Sequence, residues 1–75
     1  MTIKETIIET LAKKLDWPAD EIHPWQRLKD FGFDSLDCMD LTYDCEHRLK
    51  MDVGKDAITE STTVGELIGV FEQSK

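Results

Sequence analysis

The residues of this 75-residue chain that could do chemistry are few: His23, His47, Cys38, Cys45, a handful of hydroxyls and a crowd of aspartates. A serine nucleophile needs a base within hydrogen-bond reach and a third group to orient that base. Ser35 and His47 lie twelve residues apart. On one helix that is about 18 Å along the axis, which excludes contact. His23 has no G-x-S-x-G elbow near it, so hydrolytic chemistry finds no support and no catalytic residue is assigned. The cysteines contain no C-x-x-C pair, and their spacing is too long for one zinc site on a continuous helix. The acids do not follow the calcium-loop pattern. No metal-ligand set is assigned. If the segment is helical, Cys38 and Cys45 sit about 10 Å apart, beyond the roughly 7 Å reach of a disulfide. Free thiols suit a reducing cytosol.

One hydroxyl stands apart. Ser35 lies in Asp30-Phe31-Gly32-Phe33-Asp34-Ser35-Leu36-Asp37, behind a glycine-containing turn and at the mouth of a predicted helix. That place should leave it exposed. Taken alone, a serine at a helix start is an ordinary N-cap. Its neighbourhood is less ordinary. The net charge is -7, yet residues 1–29 balance five acids with five bases and residues 47–75 hold five acids and four bases. Residues 30–46 hold Asp30, Asp34, Asp37, Asp40, Asp44 and Glu46 with no Lys or Arg. Six acids on one short segment repel one another, and a basic docking partner explains their clustering. The field argues against nucleic acid, whose phosphates need Lys and Arg. It suits steering of a basic protein surface.

The elements that must position Ser35 follow from periodicity. A chain this short forms one domain, residues 1–75, and buries only about 60% of its unfolded surface. A core and a deep catalytic cleft do not both fit, so the chain is read as non-enzymatic. Thr2 and Glu5 have capping-box spacing, and Ile3, Ile7, Ile8, Leu11 and Leu15 form a helical stripe. Pro18 should end that helix. Residues 16–34 read as a long ordered loop, anchored by Trp17, Ile22, Trp25, Leu28, Phe31 and Phe33, with a short helical turn around Ala19 to Ile22. The second helix is predicted from Ser35 to Leu49, with Asp34 or Ser35 as cap and Leu41, Cys45 and Leu49 inward. A short helical turn is expected from Asp56 to Thr59. Thr63 and Glu66 repeat the capping-box spacing and open a last helix through Val64, Leu67, Ile68 and Phe71. The expected fold is all-α: a small four-helix bundle of three main helices and one short one, with a long ordered loop between the first two. No apolar run approaches the roughly 18 residues of a membrane span, and the N-terminus has no signal-peptide core. A cytoplasmic monomer is expected.

Gly32-Phe33-Asp34-Ser35-Leu36 resembles the G-x-D-S-L attachment motif of acyl carrier proteins. Chain length, acidic charge, helix order and Thr62-Thr63-Val64 at the last helix extend the likeness over the whole chain. The resemblance implies that Ser35 receives a 4'-phosphopantetheine arm from coenzyme A, by way of a phosphopantetheinyl transferase, and carries acyl groups as thioesters. It also implies a docking surface of Asp34, Leu36, Asp37, Met39, Asp40 and Asp44. That surface would meet basic patches on acyl-loading and acyl-processing enzymes. The arm's phosphate would sit at a helix N-terminus, which favours anions. By the same resemblance Tyr43 and Cys45 face the interior.

The chain departs from the family in places. His47, Arg48, Lys50 and Lys55 replace acids toward and beyond the end of the second helix, and the loop is unusually aromatic. The segment between Ile22 and Gly32 is about one residue short. These departures point to a specialised carrier in fatty-acid, polyketide or related biosynthesis. A peptidyl or aminoacyl carrier is the near alternative. An unmodified acidic helical adaptor, with Ser35 merely a cap, is the alternative from another class.

Overall fold

The structure is a computed structural model that describes residues 2–54 and 57–74. Three α-helices carry the fold: α1 (Ile3–Leu15), α2 (Ser35–Leu49) and α3 (Val64–Gln73). No strand forms among the described residues, where the one β feature is an isolated bridge between Arg27 and Thr63.

Each helix begins where its side chains satisfy the first backbone N–H groups. Thr2 Oγ1 accepts from the Glu5 N–H at 3.1 Å, and Glu5 Oε1 accepts from the Thr2 N–H at 3.0 Å. Thr63 and Glu66 repeat the exchange at α3. These bonds to backbone N–H hold the Glu5 and Glu66 carboxyls below their usual range. At α2 the pair is Asp34 and Asp37. Helix α1 ends before Pro18 acts: Asp16 turns left-handed at φ 57°, and the Trp17 N–H returns to the Ala12 carbonyl.

The core is Ile7 and Leu11 from α1, Cys38, Leu41 and Cys45 from α2, and Val64, Leu67, Ile68 and Phe71 from α3, closed by Ile22, Leu28 and Ile58. Two buried threonines join it, each with its hydroxyl returned to its own helix. Thr10 Oγ1 donates to the Thr6 carbonyl and Thr42 Oγ1 to the Cys38 carbonyl, both at 2.8 Å. Burial without an unsatisfied hydroxyl costs little.

The 16–34 connection differs from the expectation in detail. It holds two 3₁₀ turns, Ala19–Glu21 and Leu28–Phe31. Only Ile22 and Leu28 are buried anchors, with Phe31 and Phe33 partly buried. Trp17 and Trp25 were expected to pack but are 42% and 71% exposed. Trp25 instead stacks flat on His23, ring centroids 4.5 Å apart, while Trp17 meets Phe31 edge-on. An indole is large and is rarely enclosed whole. The short helical turn expected from Asp56 to Thr59 begins outside the described residues, and residues 57–59 are not helical.

The connection is fastened to the segment before α3. The Leu28 N–H donates to the Thr62 carbonyl and the Lys29 N–H to the Glu60 carbonyl. In return the Val64 and Gly65 N–H groups donate to the Gln26 and Pro24 carbonyls. Arg27 Nη1 adds a bond to the Ser61 carbonyl at 2.6 Å. This clasp fixes the start of the second 3₁₀ turn, and hence the approach to α2.

Candidate functional site

The approach to Ser35 is built in three steps. The second 3₁₀ turn hangs on buried Leu28 and on the Arg27 N–H, which donates to Asp30 Oδ2 at 2.9 Å. Gly32 then adopts φ 84°, a left-handed conformation that a side chain disfavours. Nothing lies within 4 Å of where its Cβ would stand, so the requirement is conformational and not steric. The Phe33 N–H closes back on the Leu28 carbonyl. Asp34 follows in extended conformation and caps α2.

Capping falls to one of the two sequence candidates. Asp34 Oδ1 accepts from the Asp37 N–H at 2.9 Å, and Asp37 Oδ2 accepts from the Asp34 N–H at 3.2 Å. Ser35 is therefore the first helical residue and not the cap. Its side chain is exposed, and its hydroxyl forms no hydrogen bond among the described residues. The Cys38 N–H begins the helix ladder on the Asp34 carbonyl. Between these bonds lie the N–H groups of Ser35 and Leu36, the first-turn donors that a helix leaves unpaired. An anionic group linked to Ser35 Oγ fits there, favoured by the helix dipole. The flanking carboxylates oppose it less than their number suggests, because each already accepts a backbone N–H.

The other expected site residues spread over α2 in distinct ways. Leu36 and Met39 are 70% and 50% exposed. Asp40 is exposed and takes no part in a cap. Asp37 is exposed but serves the capping box as well. Asp44 turns toward α1, where its Oδ2 meets Lys14 Nζ at 2.7 Å, so part of its charge is spent within the domain. Tyr43 corrects an expectation. It is 59% exposed and packs on His47 at 4.3 Å between ring centroids. Cys38, Leu41, Thr42 and Cys45 already fill the inward face, leaving Tyr43 on the outer one. Its spacing from Leu36 and Met39, i+7 and i+4, is the signal that places all three on one face.

The thiols are placed for packing. Cys38 and Cys45 are free and buried. Burial pushes the Cys45 thiol up to about 12. It raises Cys38 as well, with Glu60, Asp37 and Asp34 adding to the effect. Neither supplies a thiolate nucleophile near neutral pH. Among the described residues no group of three His, Cys, Asp or Glu side chains is placed to hold a metal ion. No described helix is long and apolar enough to cross a membrane.

No curated protein and no solved structure matches the chain. A family model does: that of the phosphopantetheine attachment site, over residues 5–71. That span runs from the first turn of α1 to the last buried residue of α3, so it takes in the bundle and not the motif alone. The chain thus belongs to the phosphopantetheine-attachment family of helical carrier domains, which hold a covalent 4'-phosphopantetheine and are as a rule non-catalytic.

Proposed function

We propose that Ser35 is the attachment point and that the protein carries acyl groups for other enzymes without doing chemistry of its own. The observation that supports this best is the division of labour at α2: Asp34 caps the helix, which leaves the exposed Ser35 hydroxyl uncommitted. In the loading step Ser35 Oγ bonds to the phosphorus of the arm as the pyrophosphate link of coenzyme A breaks. The hydroxyl proton goes to the transferase, and the nucleotide half leaves. Once attached, the arm supplies a terminal thiol on which acyl groups ride as thioesters.

The chain's own residues present and orient. The unpaired Ser35 and Leu36 N–H groups would hold the ester-linked phosphate, while Asp34, Asp37 and Asp40 draw basic partner surfaces toward the hydroxyl. Leu36 and Met39, joined by Tyr43, give that charged field an apolar contact of the kind found at docking sites. Asp44 contributes less, being paired with Lys14. Partners in this reading are a phosphopantetheinyl transferase and acyl-loading and acyl-processing enzymes with basic docking patches. We place the protein in the cytoplasm as a monomer and, from the mixed charge of His47, Arg48 and Lys50, in a specialised acyl pathway.

Incubation with coenzyme A and a broad-specificity transferase tests the assignment. Intact mass should rise by one arm, and Ser35→Ala should abolish the rise. Wild-type protein that stays bare while a control carrier loads would return the chain to the adaptor reading. Loading assays with acyl- against aminoacyl-activating enzymes separate the two carrier types.

A further inference from the structure

We propose that Arg27 is a positioning residue for the loading of Ser35, which rests on the assignment of Ser35 as the attachment point. The clasp between the two connections is made almost wholly of backbone bonds, which any sequence could form. Arg27 is its side-chain member. The guanidinium reaches 34 positions along the chain to the Ser61 carbonyl at 2.6 Å. Ser61 sits between the two carbonyls, Glu60 and Thr62, that hold the second 3₁₀ turn through the Lys29 and Leu28 N–H groups. Apart from these bonds, the turn around Ser61 is held among the described residues by short local bonds of Thr59, Ser61 and Thr62. Arg27 therefore pins the peptide that holds the turn, and the turn leads through Gly32 and Phe33 to Asp34 and Ser35.

The backbone of the same residue also sets the entry to the turn. The Arg27 N–H donates to Asp30 Oδ2, which sets the first residue of the turn, and Arg27 pairs with Thr63 in the isolated bridge. Arg27 is exposed, so its side chain contributes little to the core. What it governs is where the loop before α2 rests. Of the acids that dock a partner, Asp34 and Asp37 are tied into α2 by their own capping box and Asp40 stands beyond it, so none of the three is bonded to the clasp. A loosened clasp should leave docking intact and misplace the hydroxyl in the docked complex, so turnover falls while substrate affinity holds.

The experiment is steady-state loading of the full chain by a broad-specificity phosphopantetheinyl transferase with coenzyme A. Wild type is compared with Arg27→Ala and Arg27→Lys well below their melting midpoints. Removal of one hydrogen bond corresponds to about a fivefold fall in kcat for Arg27→Ala, with KM for the carrier unchanged. Arg27→Lys, which keeps a donor, should recover part of the loss. Amide NMR shifts of Asp34, Ser35 and Leu36 should move in Arg27→Ala and return toward wild type in Arg27→Lys. Should Arg27→Ala not fold, Arg27→Lys alone must show the lowered kcat and the amide shifts. Equal kcat in folded variants, or a loss confined to KM, overturns the positioning role while leaving Ser35 as the site. Failure of wild type to load overturns both.

Discussion

Replacing Asp34 and Ser35 one at a time separates the cap from the attachment hydroxyl, although the two residues are adjacent. Asp34→Ala deletes the Oδ1 that accepts from the Asp37 N–H at 2.9 Å and leaves a first-turn donor without its partner. Loss of such a cap costs about 1 kcal/mol, and loss of the negative charge at the helix N-terminus adds a few tenths more. For a domain of this size 1 kcal/mol lowers the thermal midpoint by about 4–8 °C. Ser35→Ala removes a hydroxyl that bonds to nothing among the described residues and installs the best helix former at the first helical position. Its effect should stay within about 0.5 kcal/mol of zero. Asp34→Asn retains the acceptor and should recover most of the cap. Urea unfolding followed by far-UV circular dichroism measures all three. If Ser35→Ala proves as costly as Asp34→Ala, the Ser35 hydroxyl is a structural cap and the argument for its availability fails.

Other perturbations follow from the same geometry. Gly32→Ala should destabilise by about 1 kcal/mol, because φ 84° disfavours a Cβ, and denaturant titration checks it. Phe71→Ala should cost about 3–5 kcal/mol, measured by denaturant titration at low temperature; a loss below about 1 kcal/mol would contradict the packing of α3. Asp40→Lys should slow transferase loading more cleanly than reversal at Asp37, which also breaks the capping box, and added salt should blunt the docking of wild type. For Cys45 the folded thiol titrates near 12, above its unfolded value, so the unfolded chain loses its proton first. The resulting stability is fully present below about pH 9 and falls as pH rises toward 12, by up to about 1.4 kcal/mol per unit. Thiol alkylation should accordingly be slow in native protein and fast in denaturant.

Local signals carried much of this fold in the sequence. Thr2 with Glu5 and Thr63 with Glu66 are spaced three apart, and a cap is a local event, so helix starts were legible. The second helix was legible from its apolar register, and Ser35 from its place at that helix's mouth. What escaped was settled by neighbours distant in sequence. Leu28 and Lys29 find acceptors at Thr62 and Glu60, a pairing that no periodicity announces, so the second 3₁₀ turn was missed. Ile58 is buried without a helical pattern to flag it. Trp17 and Trp25 read as anchors by type, but the core closes around Phe71 and smaller side chains and leaves them outside. The resemblance puts Tyr43 inward, but the helical spacing that buries Leu41 and Cys45 turns it outward. The choice between Asp34 and Ser35 as cap needed backbone geometry, and that choice frees the hydroxyl.

The most direct measurement is intact-protein and peptide mass spectrometry after treatment with coenzyme A and a phosphopantetheinyl transferase. One arm per chain, mapped to the peptide containing Ser35 and absent from Ser35→Ala, is the predicted result. An arm on any other residue, or a bare wild type beside a fully loaded control carrier, would contradict it.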